Sequence, residues 1–235
     1  MDDTFLLSNI VPQDFDNNGD FWNRTEIYCR DLTKKYSDVR VISGPLWLPL
    51  DDTKENMIQS HELSNSQPKL LKNGRPQKPH KIVSYPVIGI NEVAVPTHLY
   101  KLILAEDKEL EKPLMSAFIV PNEPIEKDKT LIDFQVKVQD LERRVGFRFH
   151  RDLAEESVSD LCSIEGCTLM KYREFQAYFI HRGLKGARNV GELERYWRQA
   201  NKYGFASDAN IQSAYKNRFD ELEKKSDATN NTVAQ

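Results

Sequence analysis

Three side chains near the start of the chain have the types and spacing to hold a metal ion and act on a phosphate. Asn18 precedes a run in which Trp22, Glu26 and Arg30 follow at four-residue intervals. On a helix this spacing sets Glu26 beside Arg30 on one face, with Asn18 at the N-terminal end. An amide oxygen is a hard, neutral ligand suited to Mg²⁺, an ion that keeps most of its waters and takes its remaining ligands from substrate phosphates. A carboxylate farther along the helix would hold those waters without ligating directly, as partners beyond the ligand shell do in metal sites. The same pattern also describes an Asn-rich capping loop before a salt-bridged helix, because Asn and Asp are favoured ahead of helices. Spacing alone favours that plainer account.

The other candidates are weaker. Cys162 and Cys167 have His150 and His181 nearby in sequence, and a zinc site would need all four within tetrahedral reach. The C-x4-C spacing is unusual for such sites and reads as small buried or loop thiols. Three cysteines make no disulfide framework, so a reducing interior is the default. His98 lies in a strand pattern and reads as a packed residue. Between Thr168 and Arg218, ten Lys/Arg face four Asp/Glu, a local net of +6. Lys185, Arg188, Arg195 and Arg198 belong to this stretch. Lys185-Gly186-Ala187-Arg188 reads as a turn, where backbone amides and cations could meet a phosphate. On charge alone the stretch is a solvated helix surface.

The elements that must position these residues can be read in order. A polar loop to about Gly19 leads into a helix over 20–36, with Trp22, Cys29, Leu32 and Tyr36 at helical spacing. Val39–Ile42 is a β-branched run stopped by Gly44-Pro45. Residues 51–80 lose all periodicity, and between Lys54 and Lys81 carry six Lys/Arg against two Glu. They read as a long, basic, mobile loop. Strand patterns over 82–87, 92–95, 98–105 and 114–120 are separated by short gaps, which favours an antiparallel meander. Leu131, Phe134, Val138, Leu141 and Val145 then share one helical face, capped by Thr130 or Asp133 and ended by Gly146. Beyond His150 the texture is helical, with three apolar stripes: Leu169, Tyr172, Phe175, Phe179; Val190, Leu193, Trp197, Ala200; and Ile211, Tyr215, Phe219, Leu222. The expected layout is α+β: a body over 1–150, a helical appendage over 151–225, and a disordered tail over 226–235.

Length and composition set the bounds. The 235 residues and 27.3 kDa allow one large domain or two small ones, and a net charge of −3 with a pI near 6.0 excludes a uniformly basic, histone-like protein. No apolar run approaches the ~18 residues of a membrane span, so membrane association is not visible. The acidic N-terminus reads as neither a secretory signal nor a transit peptide.

The run Leu7-Ser8-Asn9-Ile10-Val11-Pro12-Gln13, then Asn17-Asn18, Trp22-Asn23-Arg24 and Glu26, resembles the DNA/RNA non-specific endonucleases with a ββα-metal finger. So do Val41-Ile42-Ser43-Gly44-Pro45, Val95-Pro96-Thr97-His98-Leu99-Tyr100-Lys101, Ala117-Phe118-Ile119-Val120-Pro121-Asn122 and Phe134-Gln135-Val136. The resemblance covers the appendage too, as a C-terminal wing, and only 51–80 looks like an enlarged insertion. It implies an antiparallel ββα-metal nuclease core, Mg²⁺ (or Mn²⁺) as cofactor, DNA and RNA as substrates cut to 5′-phosphate ends, a homodimer, and mitochondrial residence. It makes Asn18 the single protein ligand of the metal, Glu26 the holder of its waters, Arg30 a basic residue of the site and Asn9 a polar residue near it. It also assigns nucleic-acid contact to the wing cations. The family's general-base histidine belongs to an Asp-Arg-Gly-His motif upstream of Leu-Ser-Asn. The chain starts after that point and its first histidine is His61, so the resemblance implies a truncated or impaired nuclease. Its alternative is a base-less nucleic-acid-binding or dimer-partner protein.

Overall fold

The computed structural model describes residues 10–49, 82–150, 153 and 157–233, with side chains through Lys224. Two compact units, Met1–Leu169 and Met170–Gln235, divide the chain. Asn9 and the 51–80 insertion lie outside the described residues.

The first unit is built on an antiparallel sheet in the order β1 (Asp38–Leu46), β4 (His98–Glu106), β5 (Leu114–Pro121), β6 (Gln135–Val136), with β7 (Ser159–Asp160) parallel to β5. β2 (Val87–Ile88) and β3 (Val93–Ala94) form a separate hairpin. The central seven residues of β4 are buried, so neither face of the sheet is left to solvent there. One face carries Leu99, Ile103, Ala105, Phe118 and Val120 beneath Phe21, Trp22, Cys29 and Leu32 of the N-terminal helix. The other carries Tyr100, Leu102, Ala117 and Ile119 beneath Leu141 of α3 (Val138–Val145). Fully burying a Leu- or Phe-sized side chain is worth about 1.5–3 kcal/mol. Helix-end charges contribute about 0.3–1 kcal/mol. Apolar burial therefore decides where the N-terminal helix lies.

Several expectations shift. The first helix begins earlier and ends earlier than 20–36: α1 (Phe15–Asn17), a π turn (Asn18–Trp22) and α2 (Asn23–Leu32) run head to tail. Asp14 starts it by accepting the Asn17 N–H. Residues 82–86 have no regular structure, and pairing begins at Val87. The single helix read over 131–145 is split. Leu131–Phe134 is a 3₁₀ turn with a Thr130/Asp133 capping box, and then Gln135 and Val136 pair with Phe118 and Ala117. Only afterwards does α3 form, and it ends at Gly146 with φ 84°, a left-handed conformation that glycine adopts without penalty.

The units divide at 169/170, not 150/151, because β7 and α4 (Leu161–Glu165) stay with the sheet. Asp160 caps α4 through the N–H groups of Cys162 and Ser163 and also binds Ser116 and Gln135. Desolvation pushes the Asp160 carboxyl up, but these hydrogen bonds outweigh it and hold the group below its ordinary value. Cys162 and Cys167, expected as separate thiols, are joined in a disulfide. That pairing leaves neither sulfur for zinc, and Cys29 is the free cysteine.

The second unit consists of α5 (Tyr172–Gly186), α6 (Val190–Lys202) and α7 (Ala209–Val233) around Ile180, Leu184, Leu193, Ala200, Ile211 and Leu222. α7 continues through Val233, where the sequence pattern predicts a disordered tail from Ser226. No Gly or Pro interrupts residues 205–235, so nothing local stops the helix.

Close approach of α5 and α6 depends on Gly183. A Cβ there would stand 2.3 Å from the Tyr196 ring. Gly183→Ala is therefore expected to destabilise the second unit by about 1–3 kcal/mol, read as a lower midpoint in chemical denaturation followed by the fluorescence of Trp197.

Candidate active site

The loop before the first helix is bound to the end of β5. Asn122, just past β5, accepts the Asp14 N–H at 2.8 Å and donates to the carbonyls of Pro96 (2.9 Å) and Pro12 (3.2 Å). Asn17 is 1% exposed and donates its amide to the Pro121 carbonyl at 2.7 Å. All three acceptors are proline carbonyls, at the end of β5 or in the segments that lead into β4 and α1. The chain then enters the π turn. Such turns add one residue per hydrogen-bonded ring and recur at functional sites.

Asn18 opens the π turn with its side chain exposed, and among the described residues that side chain makes no hydrogen bond. Its neighbour faces the interior and Asn18 faces out. Asp20 is tied to buried Arg24 at 2.7 Å. Trp22, in the same four-residue row as Glu26 and Arg30, is buried at 7% and belongs to the core. Glu26 and Arg30 are exposed one turn apart on α2, yet among the described residues neither forms an ion pair. The expected Glu26–Arg30 bridge is therefore missing, and both ends are open to solvent. Beneath them lies Cys29, whose thiol is pushed up to about 11, chiefly by burial. It has no thiolate character to offer as a nucleophile or ligand.

Among the described residues no group of three His, Cys, Asp or Glu could chelate an ion. The donor set is instead one uncommitted amide oxygen and one uncommitted carboxylate on the same helix. That set fits Mg²⁺, which retains its waters, better than Zn²⁺ or Ca²⁺, which ask for several protein ligands. A cavity of about 1340 Å³, lined by Gln135, His150 and Asp160 among others, includes none of Asn18, Glu26 or Arg30. Asn18, Glu26 and Arg30 are all exposed.

In the second unit, Lys185 lies in the last turn of α5 and Arg195 and Arg198 lie on α6, all three exposed. Arg188 is not available as read. Its guanidinium meets Glu192 at 2.8 Å, and its backbone N–H is taken by the same carboxylate at 2.9 Å. An acid of the chain itself sits where an external anion was expected. Arg195 lies 5.0 Å from the centre of the Tyr196 ring. Asn17, Asn122 and Lys101 were not singled out from the sequence. For Lys101 and Asn122 the available signal was a polar residue inside, or directly after, an otherwise apolar run; Asn17, in a polar stretch, carried none.

Residues 1–156 match the family model described as DNA/RNA non-specific endonuclease. The chain is 42% identical to a protein named nuclease EXOG, mitochondrial, from Danio rerio, over 99% of this chain and 61% of that one. It is 41% identical to the Homo sapiens protein of the same name, over 96% of this chain and 55% of that one. A mitochondrial nuclease of Saccharomyces cerevisiae is 36% identical over 72% of this chain and 46% of its own length. A solved structure of the EndoG/EndoGI complex matches with a TM-score of 0.52 and 35% identity, over 68% of this chain and 55% of that one. The chain thus spans little more than half the length of its EXOG relatives.

The two adjacent asparagines are expected to separate cleanly. Asn17→Ala leaves the Pro121 carbonyl without its donor and is expected to cost about 1–3 kcal/mol. Asn18→Ala removes an exposed side chain and should stay within about 0.5 kcal/mol of the parent. Thermal denaturation of both variants checks the contrast.

Proposed function

Because the chain belongs to the DNA/RNA non-specific endonuclease family, we propose that it carries the metal-holding helix of a Mg²⁺-dependent, sugar-non-specific nuclease. Its substrates are DNA and RNA, cut to leave 5′-phosphate ends. The mitochondrial names of its relatives support residence in that organelle. The carrying observation is the pairing of an exposed, uncommitted Asn18 with an exposed, uncommitted Glu26 on one helix that is itself firmly buried.

In this reading Asn18 presents its amide oxygen as the protein ligand and Glu26 orients the ion's waters. Arg30, one turn beyond Glu26, faces the phosphates. Bound Mg²⁺ supplies charge neutralisation at the phosphate oxygen and the leaving 3′-oxygen. The exposed cations Lys185, Arg195 and Arg198 of the second unit hold nucleic acid by its phosphates, and Arg188 contributes only if it exchanges Glu192 for a phosphate. No Asp-Arg-Gly-His occurs in the 235 residues, so the reading assigns the water-activating base to none of them. General-base catalysis is typically worth about 10²–10⁴ in rate. A second reading is a nucleic-acid-binding or dimer-partner protein that does not cut.

One experiment separates the two. The chain is incubated with plasmid, single-stranded DNA and RNA in Mg²⁺ or Mn²⁺, and in chelator. Slow cleavage abolished by chelator supports the nuclease. Binding with no cleavage supports the second reading, and cleavage indifferent to chelator rules out the metal.

Single substitutions then test each role. Asn18→Ala should abolish Mn²⁺ binding measured by water-proton relaxation, and with it any metal-dependent cleavage. Glu26→Gln should weaken both by about 10–100-fold and raise the Mg²⁺ requirement, leaving residual activity. In the second unit, Lys185→Ala with Arg198→Ala should weaken binding alike on all sequences. The change should also flatten the dependence of log affinity on log salt by up to about two units, near 0.9 for each phosphate that is no longer neutralised.

A further inference from the structure

Lys101 is the charged residue in the middle of the apolar layer beneath α2, and it is 4% exposed. Its cross-strand partners are Ser43 on β1 and Phe118 on β5, and its strand neighbours on that face are Leu99 and Ile103. The ammonium lies 4.3 Å from the centre of the Trp22 ring, one turn before Glu26. Among the described residues no carboxylate is within ion-pair distance of it. Burial lowers its pKa. A buried cation without an ion-pair partner is costly; the Glu26 carboxylate acts on it only through longer-range charge, and a Leu or Met would fill the same space. Its hydrogen bonding shows what it does there.

Lys101 Nζ donates to Ser43 Oγ at 2.9 Å. An ammonium has donors only, so the Ser43 hydroxyl hydrogen is turned away from Lys101. Ser43 itself is exposed, so the hydroxyl hydrogen is free to donate to an acceptor from outside the chain. A hydroxyl that accepts from a cation becomes a stronger donor in turn. The exposed donor belongs to the edge strand of the sheet layer that α2 covers, and it is backed by positive charge, which suits an anion.

We propose that Ser43 contacts a backbone phosphate of the bound nucleic acid and that Lys101 is its positioning residue, a buried cation that orients and polarises the hydroxyl without touching the substrate. The proposal rests on the nuclease reading and extends its binding surface from α2 to β1. It differs from a purely structural account, in which Ser43 only satisfies the lysine. On that account, removing the hydroxyl would destabilise the fold and leave binding alone.

The test uses the full chain and a short fluorescein-labelled DNA, with anisotropy read in chelator so that cleavage does not interfere. The variants are Ser43→Ala, Ser43→Thr, Lys101→Met and the Ser43→Ala/Lys101→Met pair. Ser43→Ala and Lys101→Met should each weaken binding by about 5- to 20-fold, while Ser43→Thr keeps parental affinity. The double variant should be no weaker than either single, because both act through one donor. The salt slope of Lys101→Met should equal the parent's, since a buried ammonium releases no counterion; a direct lysine–phosphate contact would flatten it by about 0.9. Binding by Ser43→Ala within twofold of the parent overturns the proposal, as do additive losses in the double variant or a flattened slope for Lys101→Met. If Lys101→Met fails to fold, the contrast between Ser43→Ala and Ser43→Thr decides alone. Parent protein that binds no DNA overturns the nuclease reading and this inference with it. Parent that binds while Ser43→Ala binds equally overturns this inference only.

Discussion

The amide of Asn122 joins three stretches of chain that are far apart in sequence. It takes the N–H of Asp14 and gives its own two hydrogens to the carbonyls of Pro12 and Pro96. With Asn17 bonded to the Pro121 carbonyl, the loop ahead of the first helix is held to the end of β5 from both sides. A part-buried amide that lost these partners would incur the desolvation cost of each unmet group, so the loop has one position. That position determines which of two adjacent asparagines faces inward. Asn17 is consumed by the fold, and Asn18 is left outside at the entry of a π turn with its oxygen free. The site's chemistry thus depends on a register set by a side chain over a hundred residues away.

The burial of α2 supplies the rest of the rigidity. Phe21, Trp22, Cys29 and Leu32 lie in the same layer as Leu99, Ile103 and Phe118, and this apolar contact needs nothing from the polar face. Glu26 and Arg30 are therefore free of structural duty. Among the described residues neither is drawn into an ion pair. A carboxylate held in a bridge would have to break it before meeting another partner, while an exposed one is already solvated.

Much of this was legible in residue order and some of it was not. The antiparallel meander, the apolar stripes of α6 and α7 and the Gly146 stop follow from periodicity and turn chemistry, which are local properties; the stripe read for α5 does not hold, because that helix turns Ile180 and Leu184 into the core and Leu169 packs in the first unit. The exposed positions of Glu26 and Arg30 follow from the same helical spacing. The errors arose where a distant partner overrode a local pattern. Gln135 and Val136 fit a helical stripe, yet pair with Phe118 and Ala117 on β5. Cys162 and Cys167 look like independent thiols until α4 brings them together. Arg188 looks like an open cation in a turn, yet Glu192, four residues on, reaches back to both its guanidinium and its amide.

The buried lysine shows the same logic at the level of a single residue. β4 is otherwise apolar through its centre, so at Lys101 the strand pattern predicts a branched aliphatic side chain. A lysine can occupy the site because its four-carbon stem packs as a hydrophobe while its ammonium reaches the β1 edge. There it finds one hydroxyl and the face of Trp22, and no carboxylate. A carboxylate in that place would neutralise the charge and close the network within the protein. Without one, the hydrogen-bonded network ends at the exposed Ser43 hydroxyl on the α2 side of the sheet, and Glu26 acts on the ammonium only from farther off. Local propensity is set aside at this buried position, and the strand that carries Lys101 is braced on both sides by β1 and β5.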